Sequence, residues 1–159
     1  MGGLLRRIKD SRARLRFAAE MNLESSKPDR LRDTSDRPRV VIVEDDRALL
    51  SALQFSLEGE GYDVWPFAAQ GDLLGRRDSF LGAACLVLDY RQEPLNGLEL
   101  YALLVGLGLK APAILVTSNP DAACRRGARK LGLTIVEKPL LSDDLSRLIS
   151  QLVRSAALN

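Results

Sequence analysis

Cys85-Leu86-Val87-Leu88-Asp89 is the stretch on which the fold turns: four apolar residues with no polar alternation, closed by a single carboxylate. A continuous apolar run of strand length predicts a strand covered on both faces, as in the interior of a parallel sheet. Upstream, Val40 to Val43 repeats the pattern with β-branched residues, and Tyr62 to Phe67 reads as a further strand closed by Trp65 and Pro66. Downstream, Ala113 to Val116 and Thr134 to Val136 supply the fourth and fifth. Between these runs the apolar period changes to that of a helix. Leu50, Leu53 and Leu57 share one face and stop at Gly59 and Gly61; a weaker helix is predicted around Asp72 to Asp78. Leu98 to Leu107 follows, with Leu100, Leu103, Leu104 and Leu107 on one side, and a polar, small-residue helix spans about Asp121 to Leu131. Leu141, Leu145, Leu148, Ile149 and Leu152 mark the last helix, whose first turn carries Asp143 and Asp144 where the helix dipole favours them. Five strand-helix units in series predict an open α/β sheet with helices on both faces.

The chain has 159 residues, 46% hydrophobic and 28% charged, which suits one domain with a short appendage. It contains no histidine, so imidazole bases, Ser-His-Asp triads and the commonest transition-metal ligand are excluded. Cys85 and Cys124 have no second pair, which argues for reduced, buried thiols rather than a zinc ribbon or a disulfide framework. No run approaches the roughly 18 apolar residues of a membrane span, and the N-terminus lacks a signal peptide's apolar block, so a cytoplasmic protein is expected. Charge is unevenly placed: residues 1–39 hold eleven Lys/Arg against six Asp/Glu, and the remainder holds twelve against fifteen. Residues 1–38 therefore read as a basic extension and linker, and residues 39–157 as the domain. Leu4, Leu5, Ile8 and Leu15 among the arginines of the extension outline an amphipathic helix that could meet a nucleic acid, a membrane or a second copy of the chain.

In open α/β sheets ligands bind beyond the carboxyl ends of the strands. Here the first strand runs into Glu44, Asp45 and Asp46, the third into Asp89, the fourth into Thr117 and Ser118, and the fifth into Glu137, Lys138 and Pro139. Carboxylates converging from two strands repel one another unless a cation lies between them. With no histidine, oxygen ligands alone point to Mg²⁺. An Mg²⁺ site with one lysine and one threonine hydroxyl suits a phosphoryl group, whose oxygens these groups would neutralise and hydrogen-bond. The nucleophile is then a carboxylate, and Asp89 is the best placed, since it follows the central strand with no acidic neighbour. Asp46 is expected to cap the first helix.

These segments resemble a two-component response-regulator receiver domain. Val-Ile-Val-Glu44-Asp45-Asp46 resembles the family's opening strand and acidic pair. Leu-Val-Leu-Asp89-Tyr-Arg, with Gly97 eight residues on, resembles its phosphorylation segment. Leu-Val-Thr117-Ser118 resembles the switch hydroxyl, and Val-Glu-Lys138-Pro139 the lysine with its cis-proline turn. The resemblance implies a doubly wound five-stranded parallel sheet of order 2-1-3-4-5, the flavodoxin-like receiver fold. It implies Asp89 as phospho-acceptor, with Glu44, Asp45, Asp89 and the backbone carbonyl of Arg91 around Mg²⁺. It also implies Thr117 and Lys138 as partners of the phosphoryl group.

The implied donor is a phosphohistidine on a sensor histidine kinase or histidine phosphotransfer protein, and the implied output is contact with a downstream protein. Such a receiver is not a conventional enzyme, though it catalyses its own phosphorylation and resetting. Two positions depart from the family pattern: Glu93, followed by Pro94, stands where proline is usual, and Ile135 replaces the common aromatic three residues before the lysine. These departures motivate the alternative of a receiver that acts as an interaction module without being phosphorylated.

Overall fold

Each of the five apolar runs forms a strand in the computed structural model, which describes residues 36–140 and 142–158. The amphipathic segment expected in the basic extension lies outside the described residues. The order of elements is β1 (Arg39–Val43), α1 (Arg47–Gly59), β2 (Asp63–Phe67), α2 (Gln70–Leu74), α3 (Arg77–Leu81), β3 (Cys85–Asp89), α4 (Gly97–Gly106), β4 (Ala113–Thr117), α5 (Ala122–Leu131), β5 (Thr134–Glu137) and α6 (Ser142–Ala157). All strands pair in parallel in the order β2-β1-β3-β4-β5. This is the doubly wound receiver topology that the resemblance implied.

The missing alternation has the cause inferred for it. β3 and β4 are buried along their whole length, and in β1 only Arg39 is not. Successive β1 residues enter different cores. Val41 and Val43 face a cluster with Leu86, Leu88, Leu100, Leu104 and Cys124, beneath α4 and α5. Val40 and Ile42 face one with Leu50, Leu57, Leu145 and Ile149, beneath α1 and α6. Each such side chain taken wholly out of water contributes roughly 1.5–3 kcal/mol before entropy is subtracted. Both cysteines are free and buried within these layers, and desolvation pushes the Cys85 thiol up to about 12.

Where the sequence suggested one weak helix around residues 72–78, there are two short ones, α2 and α3. Gly75 ends the first, its N–H bonding back to Gly71 O while Arg76 N–H bonds to Leu73 O, and Arg76 leaves helical geometry (φ −121°, ψ 70°) before the second. The break lets Leu73 and Phe80 both reach full burial. β2 lies at the sheet edge and accommodates Pro66 within the strand, where a missing N–H is tolerated.

Helix entry is set by side chains at the carboxyl edge. Asp46 caps α1 by accepting from Ala48 N (3.0 Å) and Leu49 N (3.1 Å), as expected from the sequence. Asn96 and Glu99 form a reciprocal capping box at α4, and Asp121 caps α5 through Cys124 N (2.7 Å). Gly97 begins α4 against the end of β3. A Cβ there would lie 2.7 Å from Asp89 O and 3.1 Å from Tyr90 Cα, both backbone atoms, so this turn requires glycine.

Candidate functional site

Strand register alone assembles the site. Val43 pairs with Leu88, so Glu44 and Asp89, one residue further on, emerge side by side. Asp89 pairs with Val116, and Thr117 with Glu137, which brings Thr117 and Lys138 to the same edge. Lys138 N donates to Thr117 O (2.9 Å), and the Lys138–Pro139 bond is cis.

Glu44, Asp45 and Asp89 each offer an oxygen within 4.8 Å of the others. Glu44 and Asp89 are buried and Asp45 is exposed. At an effective dielectric near 20, two unit charges at that separation repel by about 3 kcal/mol. Lys138 relieves part of this, its Nζ lying 2.8 Å from Glu44 Oε2 and 3.6 Å from Asp89 Oδ1. Three carboxylates against one ammonium still leave a charge of −2 among these four side chains, the charge of one divalent cation with its sign reversed.

The titration of the site follows from its depth. Burial raises the Glu44 carboxyl above its ordinary range, and the nearby Asp89 charge adds to this. The bonds from Lys138 and from Asp46 N–H oppose the rise without cancelling it. Burial by itself would lower Lys138, but its bond to Glu44 and the charge of Asp89 prevail and raise it. The lysine is therefore a firmly held cation.

Thr117 is fully buried and its Oγ1 has no hydrogen-bond partner. Buried hydroxyls are ordinarily satisfied, so an orphan at the mouth of an acidic cluster marks a place where a ligand oxygen belongs. Hard oxygen donors, a surplus of two negative charges and this orphaned hydroxyl fit a divalent cation together with an oxyanion. The sequence-predicted residues Glu44, Asp45, Asp89, Thr117 and Lys138 thus come together at one edge. Arg91 lies beside them, its N–H 3.4 Å from Asp89 Oδ1.

Residues 40–150 match the model of the response regulator receiver domain. The chain belongs to the response regulator receiver family. Its curated relatives include the transcriptional regulatory protein FixJ of Bradyrhizobium diazoefficiens, 29% identical over 74% of this chain and 57% of that protein. The C4-dicarboxylate transport transcriptional regulatory protein DctD of Rhizobium meliloti is 33% identical over 70% of this chain and 24% of that protein. The chain therefore spans between about a quarter and just over half the length of these relatives. Among solved structures, a CheY-like receiver from Methanospirillum hungatei superposes with a TM-score of 0.70 at 25% identity, over 76% of this chain and 96% of that one. The chain accordingly carries a receiver domain of the two-component response regulators, with an acidic cluster of the kind in which receiver domains generally bind Mg²⁺. Among the described residues no helix is long and apolar enough to cross a membrane.

Two features of this receiver were not legible in its sequence. Gln70 and Gln92, which no sequence pattern singles out, form a buried amide pair at the loop that follows β3. At the opposite edge Trp65, given no role beyond closing β2, donates its ring N–H to the buried Asp63 (2.7 Å) and lies under the Arg39 guanidinium, 4.3 Å from the ring centroid.

Proposed function

We propose that the protein accepts a phosphoryl group on Asp89 from a phosphohistidine, with Mg²⁺ bound by Glu44, Asp45, Asp89 and the carbonyl of Arg91, and signals by contacts with other proteins. The observation that carries this reading is the buried, unpartnered Thr117 hydroxyl beside an acidic cluster of net charge −2. Mg²⁺, when bound, would neutralise phosphoryl oxygens and the carboxylates around them.

A carboxylate oxygen of Asp89 attacks phosphorus while the phosphorus–nitrogen bond to the donor imidazole breaks, and the imidazole leaves with the bonding pair. Lys138, already within reach of Asp89, pairs with a phosphoryl oxygen as negative charge moves onto Asp89's side of the site. Thr117 Oγ–H donates to another. Because Thr117 O accepts from Lys138 N, a displacement of Thr117 is felt in the β5–α6 connection. Ile135 is half-buried against the core below α4 and α5, so an aromatic rotamer change at that position has no counterpart here. The state shift then rests on the movement of Thr117 and its neighbours. Resetting is attack of water on phosphorus, which breaks the bond to Asp89 and releases inorganic phosphate.

Partners of matching chemistry are a histidine kinase or phosphotransfer protein as donor and a downstream protein as target. The test is incubation of the chain with Mg²⁺ and acetyl phosphate followed by intact mass. Wild type should gain one phosphoryl group and Asp89→Asn none. Equal gain by both, or none by wild type, sinks the reading and favours a receiver that works as an interaction module without phosphorylation.

A further inference from the structure

The loop from Tyr90 to Asn96 must hold Arg91 at a set distance from the acidic pair, yet its Glu93 and Pro94 side chains are exposed and anchor nothing inward. What reaches inward is Gln92, buried with 8% exposure. Its Nε2 donates to Val43 O at 2.6 Å, the carbonyl immediately before Glu44. Its Oε1 accepts from Gln70 Nε2 at 3.1 Å. Gln70, the first residue of α2 and 2% exposed, then clasps the far end of the same loop from both sides: its Nε2 donates to Leu95 O (2.5 Å) and its Oε1 accepts from Leu95 N (3.3 Å). Both donors of Gln70 are used, so the amide's orientation is determined by its partners.

We propose that Gln70 and Gln92 are positioning residues for the metal-binding loop: a two-amide clasp that ties Leu95 and α2 to the end of β1, and so sets the separation between Arg91 and the Glu44–Asp45 pair. The proposal rests on the site reading above. Buried amides of this kind are costly unless every partner is present, so the loop has one arrangement that satisfies the clasp. Neither glutamine touches the phosphoryl position. Their effect should therefore fall on cation affinity and not on the transfer step.

The experiment titrates the full chain with Mg²⁺, reading backbone amide shifts of residues 89–97 by NMR, for wild type, Gln92→Met, Gln70→Leu and the double variant. Gln92→Met should weaken Mg²⁺ binding roughly tenfold, as loss of an outer-shell partner commonly does. The acetyl phosphate rate at saturating Mg²⁺ should recover to that of wild type. The double variant should be no worse than Gln92→Met, since one clasp is broken once. Unchanged affinity in both single variants overturns the proposal, as do strictly additive losses or a rate that stays low at saturation. Should Gln92→Met fail to fold, Gln70→Leu, on the side away from the site, carries the same comparison.

A second readout separates this idea from the site reading itself. Absence of Mg²⁺ binding by wild type would refute the site. The clasp would still predict faster hydrogen exchange of the Leu95 amide in Gln70→Leu, and an unaltered Leu95 amide would refute the clasp.

Discussion

The two ends of β1 carry the same kind of chemistry with opposite outcomes. At its start, Arg39 lies 3.5 Å from the buried carboxylate of Asp63, and Trp65 donates to that carboxylate while stacking under the guanidinium. Arg39 also reaches the carbonyls of Asp78 and Ser79, tying α3 to the sheet. One acid meets one base, with a ring N–H to spare. Just past the other end, Glu44 and Asp89 share Lys138 with Asp45 beside them, and the buried Thr117 hydroxyl has no hydrogen-bond partner. The first cluster is balanced in charge, although Arg39 Nε, 3.5 Å from Asp63, makes no hydrogen bond; the second is in deficit by two positive charges. A buried ion pair by itself is therefore no sign of function in this fold, whereas an unbalanced one is, because only a missing ligand makes the arrangement sensible.

Neutralising one carboxylate at each end breaks the comparison most sharply. Asp89→Asn should abolish phosphoryl acceptance outright while leaving Mg²⁺-free stability unchanged or higher, since it removes repulsion among three acids. Asp63→Asn should do the reverse. It keeps phosphorylation and loses about 2 kcal/mol of stability, because a charge-assisted bond to Trp65 and the pairing with Arg39 both weaken. Intact mass after acetyl phosphate treatment and urea denaturation, run on both variants, read the two axes separately. A stability loss in Asp89→Asn as large as that in Asp63→Asn would show that both clusters are merely structural.

Removing the single cation of the site is the next largest effect. Lys138→Met should slow phosphorylation from acetyl phosphate by about 10²-fold, the usual consequence of losing one group that stabilises developing charge. Its stability should also fall, because Glu44 and Asp89 then face each other without relief. If the rate is unaltered, Lys138 serves only to balance the carboxylates, as Arg39 does for Asp63.

The difference between the two ends also explains what could be read from the residues alone. Asp89 and Thr117 end their strands and Glu44 and Lys138 directly follow theirs, and parallel register carries such residues to one edge whatever the details of packing, so the candidate site was legible from order and spacing. Strands buried on both faces announce themselves by unbroken apolar runs, as β1, β3 and β4 do, whereas the edge strands β2 and β5 are only partly buried. The Arg39–Asp63–Trp65 cluster and the Gln70–Gln92 pair were not legible. Their partners lie 22 to 40 residues apart or alternate along an edge strand, and they are joined by side-chain hydrogen bonds that leave no periodic trace. The split of the weak helix into α2 and α3 escaped for a related reason: the break at Gly75 is set by the tertiary burial of both Leu73 and Phe80, which leaves no periodic trace.

The smallest expected effect is one of pH, and its sign follows from Glu44. Burial places its folded-state carboxyl above the ordinary value of 4.5, so over the interval between the two the native protein holds a proton that the unfolded chain has released. Stability falls with rising pH wherever the native state binds more protons, so in Mg²⁺-free buffer Glu44 contributes most on the acid side and loses that contribution as pH rises through its folded value. Lys138, raised instead above 10.5, remains charged throughout this interval and cannot produce the trend. Mg²⁺ affinity should move the other way, weakening on acidification because the proton and the cation compete for the same oxygens. Glu44→Gln removes the titrating group, so the difference between wild type and this variant in urea midpoint across pH 4 to 7 should carry the slope, and added Mg²⁺ should flatten it at the neutral end. A difference that does not vary with pH would mean that Lys138 offsets the burial of Glu44 in full, and the contrast between the two ends of β1 would then rest on Asp45, Asp89 and Thr117 alone.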